Sequence, residues 1–263
     1  MKKIVALTLA LFMLIAVFAA CSKKKESDAE GVDMTVTDNE RVYRAEGDYS
    51  DAFYYDYINI DEISIIGYSG SHLQHAIAIP DSIEGLSVTE VADSAFKSKT
   101  NITAVTLPAT VRRIGDMAFY GCNALESVNM PAALTEIGVA AFADCIVLGK
   151  TGLTVPATVT AIGADAFYDC KSLSALTLPE AITELPARIC YKCERLKAVA
   201  WSASGTKIGD SAFMGCALLD TINFPATLTD IGAYAFADCS RMSDPHLAGV
   251  TVGENAFYIT PAA

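Results

Sequence analysis

Apolar positions recur on a fixed beat through most of this chain. A phenylalanine marks each return: Phe96, Phe119, Phe142, Phe167, Phe213, Phe236 and Phe257, with Cys190 in the slot between Phe167 and Phe213. Five of the seven steps are 23 residues; the step from Phe142 is 25 and the last is 21. Counted from the aromatic, positions +3, +6, +9, +11, +15, +18 and +22 are apolar in most copies. In the Phe119 unit they are Cys122, Leu125, Val128, Met130, Leu134, Ile137 and Ala141. Val128 and Met130 stand two apart, which places both side chains on one face of a strand. The equivalent pairs are Val105/Leu107, Leu153/Val155, Leu176/Leu178, Val199/Trp201 and Ile222/Phe224. A proline follows most of them (Pro108, Pro131, Pro156, Pro179, Pro225) and ends the strand, because its nitrogen has no proton for a ladder. The pattern predicts one short strand per coil, each beside the next in a parallel sheet. A second extended piece is predicted at Thr135-Glu136-Ile137 and its equivalents. Gly115, Gly138, Gly163, Gly209 and Gly232 then require either a positive φ or a close backbone approach. A helical or 3₁₀ turn is expected over Ala-Phe-x-x-Cys.

A repeat of roughly 20 to 29 residues is the period of leucine-rich solenoids. The N-terminal unit sharpens this. Tyr54 to Ile60 and Ile63 to Tyr68 alternate as strands do, Ser69-Gly70-Ser71 reads as a turn, and His75 to Ile79 is a short strand stopped by Pro80. With Ile79-Pro80, Ile83, Gly85, Val88, Val91 and Ala95-Phe96, this stretch resembles the first unit of BspA-like leucine-rich repeat proteins. Their repeats have the form Leu-x-x-Val-x-Leu-Pro…Ile-Gly-x-x-Ala-Phe-x-x-Cys. The resemblance covers about residues 60–257. It implies an α/β solenoid: a right-handed leucine-rich repeat array with a parallel sheet on its concave face and short extended segments and helical or 3₁₀ turns on its convex face. It also implies a bacterial surface protein that adheres to host, matrix or neighbouring-cell proteins.

The start of the chain reads differently. Lys2 and Lys3 precede an apolar run from Ile4 to Ala20, too short for a spanning helix and flanked as a signal peptide is. Val17-Phe18-Ala19-Ala20-Cys21 resembles a bacterial lipobox, in which Cys21 is the lipidated residue; an ordinary secretory cut near Ala19 or Ala20 is the alternative. The predicted organisation is therefore a signal peptide at 1–20, a disordered tether at 21–50 and the solenoid at 51–263, with an N-terminal cap over about 51–80. The tether is polar, charged and without an apolar period.

Charge narrows the function. The chain carries 19 basic and 31 acidic residues, a net −12; removing Lys2 and Lys3 with the signal takes it to −14. That excludes clustered basic surface for nucleic acid, and leaves the lipid as the expected membrane contact. The repeat cysteines Cys122, Cys145, Cys170, Cys193, Cys216 and Cys239 all fall at +3, where a small buried hydrophobe fits better than a metal ligand or disulfide partner. No hydrolase or phosphate-loop motif occurs, so a non-enzymatic role without cofactor is expected. The alternatives are a carbohydrate-acting surface enzyme accessory or a purely structural envelope protein. The candidate binding face is the outer side of the strand ladder: Thr106, Asn129, Thr154, Thr177, Ala200 and Asn223. The unit from Leu185 to Trp201 departs most from the pattern, and Arg188, Lys192, Arg195 and Trp201 form a second candidate patch. On this register Phe142→Ala should destabilise strongly and Asn129→Ala should be close to neutral.

Overall fold

The computed structural model describes residues 41–44, 52–69 and 75–261. They form a β-solenoid in which each coil lays two short strands beside those of the coil before. The first ladder uses the Val-x-Leu strands. It runs Ala76–Ala78, Ala104–Thr106 and Ser127–Val128, then restarts as Leu153–Thr154, Ala175–Thr177, Ala198–Ala200 and Thr221–Ile222. The second ladder uses the Ile-Gly segments. It runs Glu62–Ser69, Leu86–Val91, Arg113–Ile114, Glu136–Ile137 and Ala161–Ile162, then restarts as Glu184–Leu185, Lys207–Ile208, Asp230–Ile231 and Thr251–Val252. Pairing between coils is parallel, as in Val105↔Val128 and Ile114↔Ile137, and in register except for one bulge between Ile63 and Ser64 where Glu62–Ser69 meets Leu86–Val91.

The N-terminal unit closes the second ladder with antiparallel strands. Ala52–Tyr57 pairs with Glu62–Ser69, and Arg41–Arg44 pairs with Ala52–Tyr57. The stretch expected as tether thus holds a strand at Arg41–Arg44.

The core is a column of rings. Phe96, Phe119, Phe142, Phe167, Phe213 and Phe236 are fully buried. Their centroids lie 5.1 Å apart from Phe96 to Phe119, 5.3 Å from Phe119 to Phe142 and 5.8 Å from Phe142 to Phe167, with planes nearly parallel. Tyr68 and Phe53 extend the column into the N-terminal unit. Coil spacing brings the rings this close, and burying each contributes on the order of 1.5 to 3 kcal/mol. The seven described cysteines are free and buried. Each +3 thiol also donates to the carbonyl of the aromatic slot one coil earlier, as Cys145 Sγ does to Phe119 O at 3.1 Å and Cys216 Sγ to Cys190 O at 3.0 Å.

The Ile-Gly glycines serve close approach rather than positive φ. A Cβ on Gly138 would lie 2.6 Å from the Asp116 nitrogen, and one on Gly163 would lie 2.4 Å from that of Val139. Their N–H groups reach back to the preceding coil, as Gly138 does to Ile114 O at 2.8 Å. Pro186 occupies this column and has no such proton. The second ladder is interrupted at that junction, between Ala161–Ile162 and Glu184–Leu185. The first ladder is interrupted one coil earlier, where the 25-residue step inserts a turn with positive φ at Gly149 and Gly152.

The helical or 3₁₀ turn expected over Ala-Phe-x-x-Cys does not form, and there is no helix among the described residues. Alternate amides there point in different directions. Ala118, Tyr120 and Cys122 donate three residues back within their coil, while Met117, Phe119 and Gly121 donate across to Val139, Ala141 and Ala143, each at 2.8 Å. The alternation follows from left-handed backbone two residues before and two after the aromatic: φ is 53° at Met117 and 70° at Gly121, 60° at Asp165 and 53° at Asp169. Helical hydrogen bonding needs a run of right-handed residues, and this breaks it. Every coil gains instead a third strip of bonds to its neighbour.

Candidate functional site

The residue after each aromatic points off this turn face and forms a second column on the surface: Lys97, Tyr120, Ala143, Tyr168, Tyr191, Met214, Ala237 and Tyr258. Parallel register brings like positions together. Tyr168 and Tyr191 stack with centroids 4.9 Å apart and planes 5° apart. Lys97 Nζ lies 5.4 Å from the centre of the Tyr120 ring, and Lys192 Nζ lies 5.4 Å from that of Tyr191. Ala143 supplies no ring between Tyr120 and Tyr168. A cleft of about 430 Å³ opens there, with Ala143 buried at its floor. A second hollow of about 400 Å³ continues it across Tyr120 towards Ser98 and Asn123.

Acids line the cleft at the left-handed positions. Asp144 is hydrogen-bonded to the Tyr120 hydroxyl, which holds that phenol above its ordinary pKa. Asp169 is largely covered; burial raises its carboxyl pKa, Asp144 adds to the rise, and Lys171 and Lys192 oppose it. Its Oδ1 is buried with no hydrogen-bond partner, while Oδ2 lies 3.8 Å from Lys171 Nζ. Asp165 is taken by Arg188 through two short contacts, 2.6 and 2.7 Å. The acids three residues before the aromatic serve the fold instead: Asp93, Asp116 and Asp210 accept backbone N–H groups of the next coil at 2.7 to 2.9 Å. Among the described residues no group of three or more His, Cys, Asp or Glu side chains is arranged to hold a metal ion.

The residues singled out from sequence divide. Thr106, Asn129, Thr154, Thr177, Ala200 and Asn223 are all exposed, and Thr154, Thr177 and Ala200 are direct register neighbours. Asn129 is tied up, however. Its Oδ1 accepts from Leu107 N at 2.6 Å and its Nδ2 donates to Leu107 O at 2.9 Å. Asn223 makes the same clasp more loosely on Trp201, whose Nε1 donates to Asn223 O at 2.9 Å. Trp201 is 4% exposed, with Gly205 against its ring, so it belongs to the core. The second candidate patch is thereby split: Arg188 and Lys192 stand on the turn face, Arg195 is exposed beyond it, and Trp201 is buried on the strand side. Cys21 lies outside the described residues. The sequence pattern singles out none of Tyr120, Tyr168, Asp144 and Asp169 as site residues. Reading the post-aromatic residue down the copies would have exposed that column.

Residues 89–152 and 149–262 match the model of the BspA type leucine rich repeat region, in six copies. The chain belongs to this family. Among solved structures, it is similar to the leucine-rich repeat protein of T. pallidum at 33% identity, over 73% of this chain and 88% of that one, with a TM-score of 0.68. It is also similar to a leucine rich cell surface protein of Faecalibacterium prausnitzii at 31% identity and a TM-score of 0.66, over 83% of this chain and 55% of that one. No curated protein matches it. BspA-type membership and these neighbours agree with the stacked parallel coils described above, and with a binding or structural role at the cell surface.

Proposed function

We propose that this BspA-type chain is an exported, lipid-anchored surface module that binds other proteins and has no catalytic role. The observation that carries the reading is the turn-face cleft. Tyr120, Ala143, Tyr168, Asp144 and Asp169 present rings and carboxylates from a backbone fixed by inter-coil bonds on both sides. Such a surface is already organised before contact, so little ordering entropy opposes binding. The strand face of Thr106, Thr154, Thr177 and Ala200 offers a flatter, uncharged surface alongside it. In this reading residues 1–20 are removed, Cys21 carries the lipid, and the polar stretch that follows holds the solenoid clear of the membrane. Host, matrix or neighbouring-cell proteins are the partners, as the resemblance implies.

Two measurements test this. The mass of the N-terminal peptide from the mature protein should include a lipid on Cys21, and Cys21→Ala should move the chain from detergent to aqueous phase; an unmodified Cys21 would end the anchor reading. The full chain should also bind saturably to at least one protein of a matrix panel, and lose that binding on Tyr120→Ala/Tyr168→Ala. Saturable binding to glycans alone, or to nothing, would overturn the protein-binding reading.

A further inference from the structure

We infer that the slot above Ala143 is a recognition pocket for an arginine side chain of a partner protein; the inference deepens the protein-binding reading and rests on it. The argument starts from the post-aromatic column. Around Tyr120, Tyr168 and Tyr191 this column covers ring faces with another ring or with an ammonium group. Tyr168 covers one face of Tyr191, Lys192 stands over the Tyr191 ring, and Lys97 stands over Tyr120. At Ala143 the column lacks one occupant. The rings of Tyr120 and Tyr168 flank the opening, two coils apart. The missing member has the thickness of one planar group, because consecutive rings in this protein lie 4.9 to 5.8 Å apart.

The charge at the slot selects the kind of planar group. Asp144 holds the Tyr120 hydroxyl, and among the described residues no cation lies within salt-bridge reach of it. Asp169 presents the buried Oδ1 that has no partner, and its carboxyl is disfavoured as an anion by burial. Arg188 already neutralises Asp165, and Lys171 is shared between Asp169 at 3.8 Å and Glu194 at 3.7 Å. Lys192, also at the cleft, stands over the Tyr191 ring, so the open groups are two ring faces and the Asp144 carboxylate, with Asp169 held only by the 3.8 Å contact to Lys171. A guanidinium is flat, carries five N–H donors in its plane and stacks on aromatic rings. It can lie against the rings while its edge donates to Asp144 and to the accessible side of Asp169. A neutral sugar would stack but leave the carboxylates poorly compensated, and lysine would bring charge without the plane. The chain's net −12 adds long-range attraction for a basic partner.

The test needs no knowledge of the natural partner. The full chain is titrated with acetyl-arginine-amide and with its citrulline counterpart, which keeps the shape and removes the charge; tyrosine ring resonances report binding. The arginine probe should shift Tyr120 and Tyr168 saturably, and citrulline should bind about tenfold more weakly or worse. Ala143→Tyr fills the column and should abolish the shifts, while Asp144→Asn should weaken binding by about tenfold with the rings in place. The citrulline comparison uses the unaltered chain, so it decides even where a variant does not fold. Unmoved resonances, equal binding of citrulline, or full binding by Ala143→Tyr would overturn the arginine assignment. So would a monosaccharide that shifts the same rings more strongly. Each of those results leaves the protein-panel measurement to judge the broader reading separately.

Discussion

Asn129 and Thr177 occupy the same position of the repeat on the same exposed face, yet they do different work. Asn129 supplies both an acceptor and a donor to Leu107 of the preceding coil, replacing a backbone rung with a side chain. Removing it strands two backbone groups, so Asn129→Ala should lower stability by about 1 to 3 kcal/mol. Thr177→Ala, which breaks no side-chain bond seen in the structure, should stay within about 0.5 kcal/mol. Phe142→Ala sets the upper mark at about 3 to 5 kcal/mol. Chemical denaturation midpoints of the three variants give the order directly, and equal shifts for Asn129 and Thr177 would remove the clasp as an energetic element. The phenylalanine and cysteine columns were legible in the sequence because they depend on residue type at a fixed period. The Asn129 clasp was not, since a polar residue on an outer strand position reads as solvated until its partner one coil away is known. The cysteines carry a pH dependence as well. Burial lifts Cys122 and Cys239 to about 12, from an ordinary value of 9.0, and lifts Cys145, Cys170, Cys190 and Cys216 well above it. A thiol with a raised folded pKa binds a proton that the unfolded chain has released. Its stabilisation is therefore complete below pH 9 and is lost as pH climbs towards 12. Each such cysteine contributes a slope of about 1.4 kcal/mol per pH unit across that window. Denaturation midpoints at pH 8 and 10.5 should fall more steeply for the unaltered chain than for Cys122→Ala; parallel declines would mean the thiols do not titrate as placed.

Within one coil, the glycine of the Ile-Gly step and the turn around the aromatic have opposite relations to the sequence. The glycine announced a constraint and the structure supplies its cause: backbone of the preceding coil stands where a side chain would begin. Gly138→Ala drives a Cβ to 2.5 to 2.6 Å from Asp116 and Gly115 atoms, most of them backbone. Backbone in a hydrogen-bonded ladder yields poorly, so a loss of about 1 to 3 kcal/mol or more is expected. Gly85→Ala makes the opposite case, a φ of 83° with nothing within 4 Å of the new atom. Its penalty is conformational alone, about 1 to 2 kcal/mol. Thermal melts should therefore rank Gly138→Ala as the more damaging, and in crystals its neighbouring coil should be displaced while that of Gly85→Ala is not. The turn misled for a different reason. Its left-handed positions are filled by Met117, Ala140, Arg188 and Tyr234 as well as by glycine, so composition gives no sign of them. What holds those residues there is the strip of bonds to the next coil, a contact between units that no single repeat encodes. The same blindness hid the cleft: Ala143 is an ordinary turn residue within its copy and becomes a gap only between Tyr120 and Tyr168.

A stack of coils holds together through contacts between neighbours, so its weakest junction sets where it opens. Both ladders are interrupted near the middle of the described array, at different junctions. The first breaks between Ser127–Val128 and Leu153–Thr154, where the longer coil inserts its turn. The second breaks between Ala161–Ile162 and Glu184–Leu185, where Pro186 lacks the proton that Gly138, Gly163, Gly209 and Gly232 each give to the coil before. The Leu185–Trp201 unit was legible as a departure from pattern, but its physical effect required knowing which amides bridge coils. At both junctions the turn-face strip stays intact, through Phe142 to Ala166 and Phe167 to Ile189, each at 2.9 Å. The array therefore keeps its turn-face bonds and loosens along one strand edge at a time. Amide hydrogen exchange resolves this, because protection follows the free energy of local opening. Glu184 should exchange at least about tenfold faster than Asp230, whose N–H is held by Thr206 O in the unbroken part of the same ladder, a difference of about 1.4 kcal/mol in opening. Pro186→Gly restores the missing donor opposite Ile162 and should slow exchange at Glu184 and Leu185 while leaving Asp230 unchanged. If Glu184 is already as protected as Asp230 in the unaltered chain, the break is not a soft point, and the two halves of the solenoid open as one.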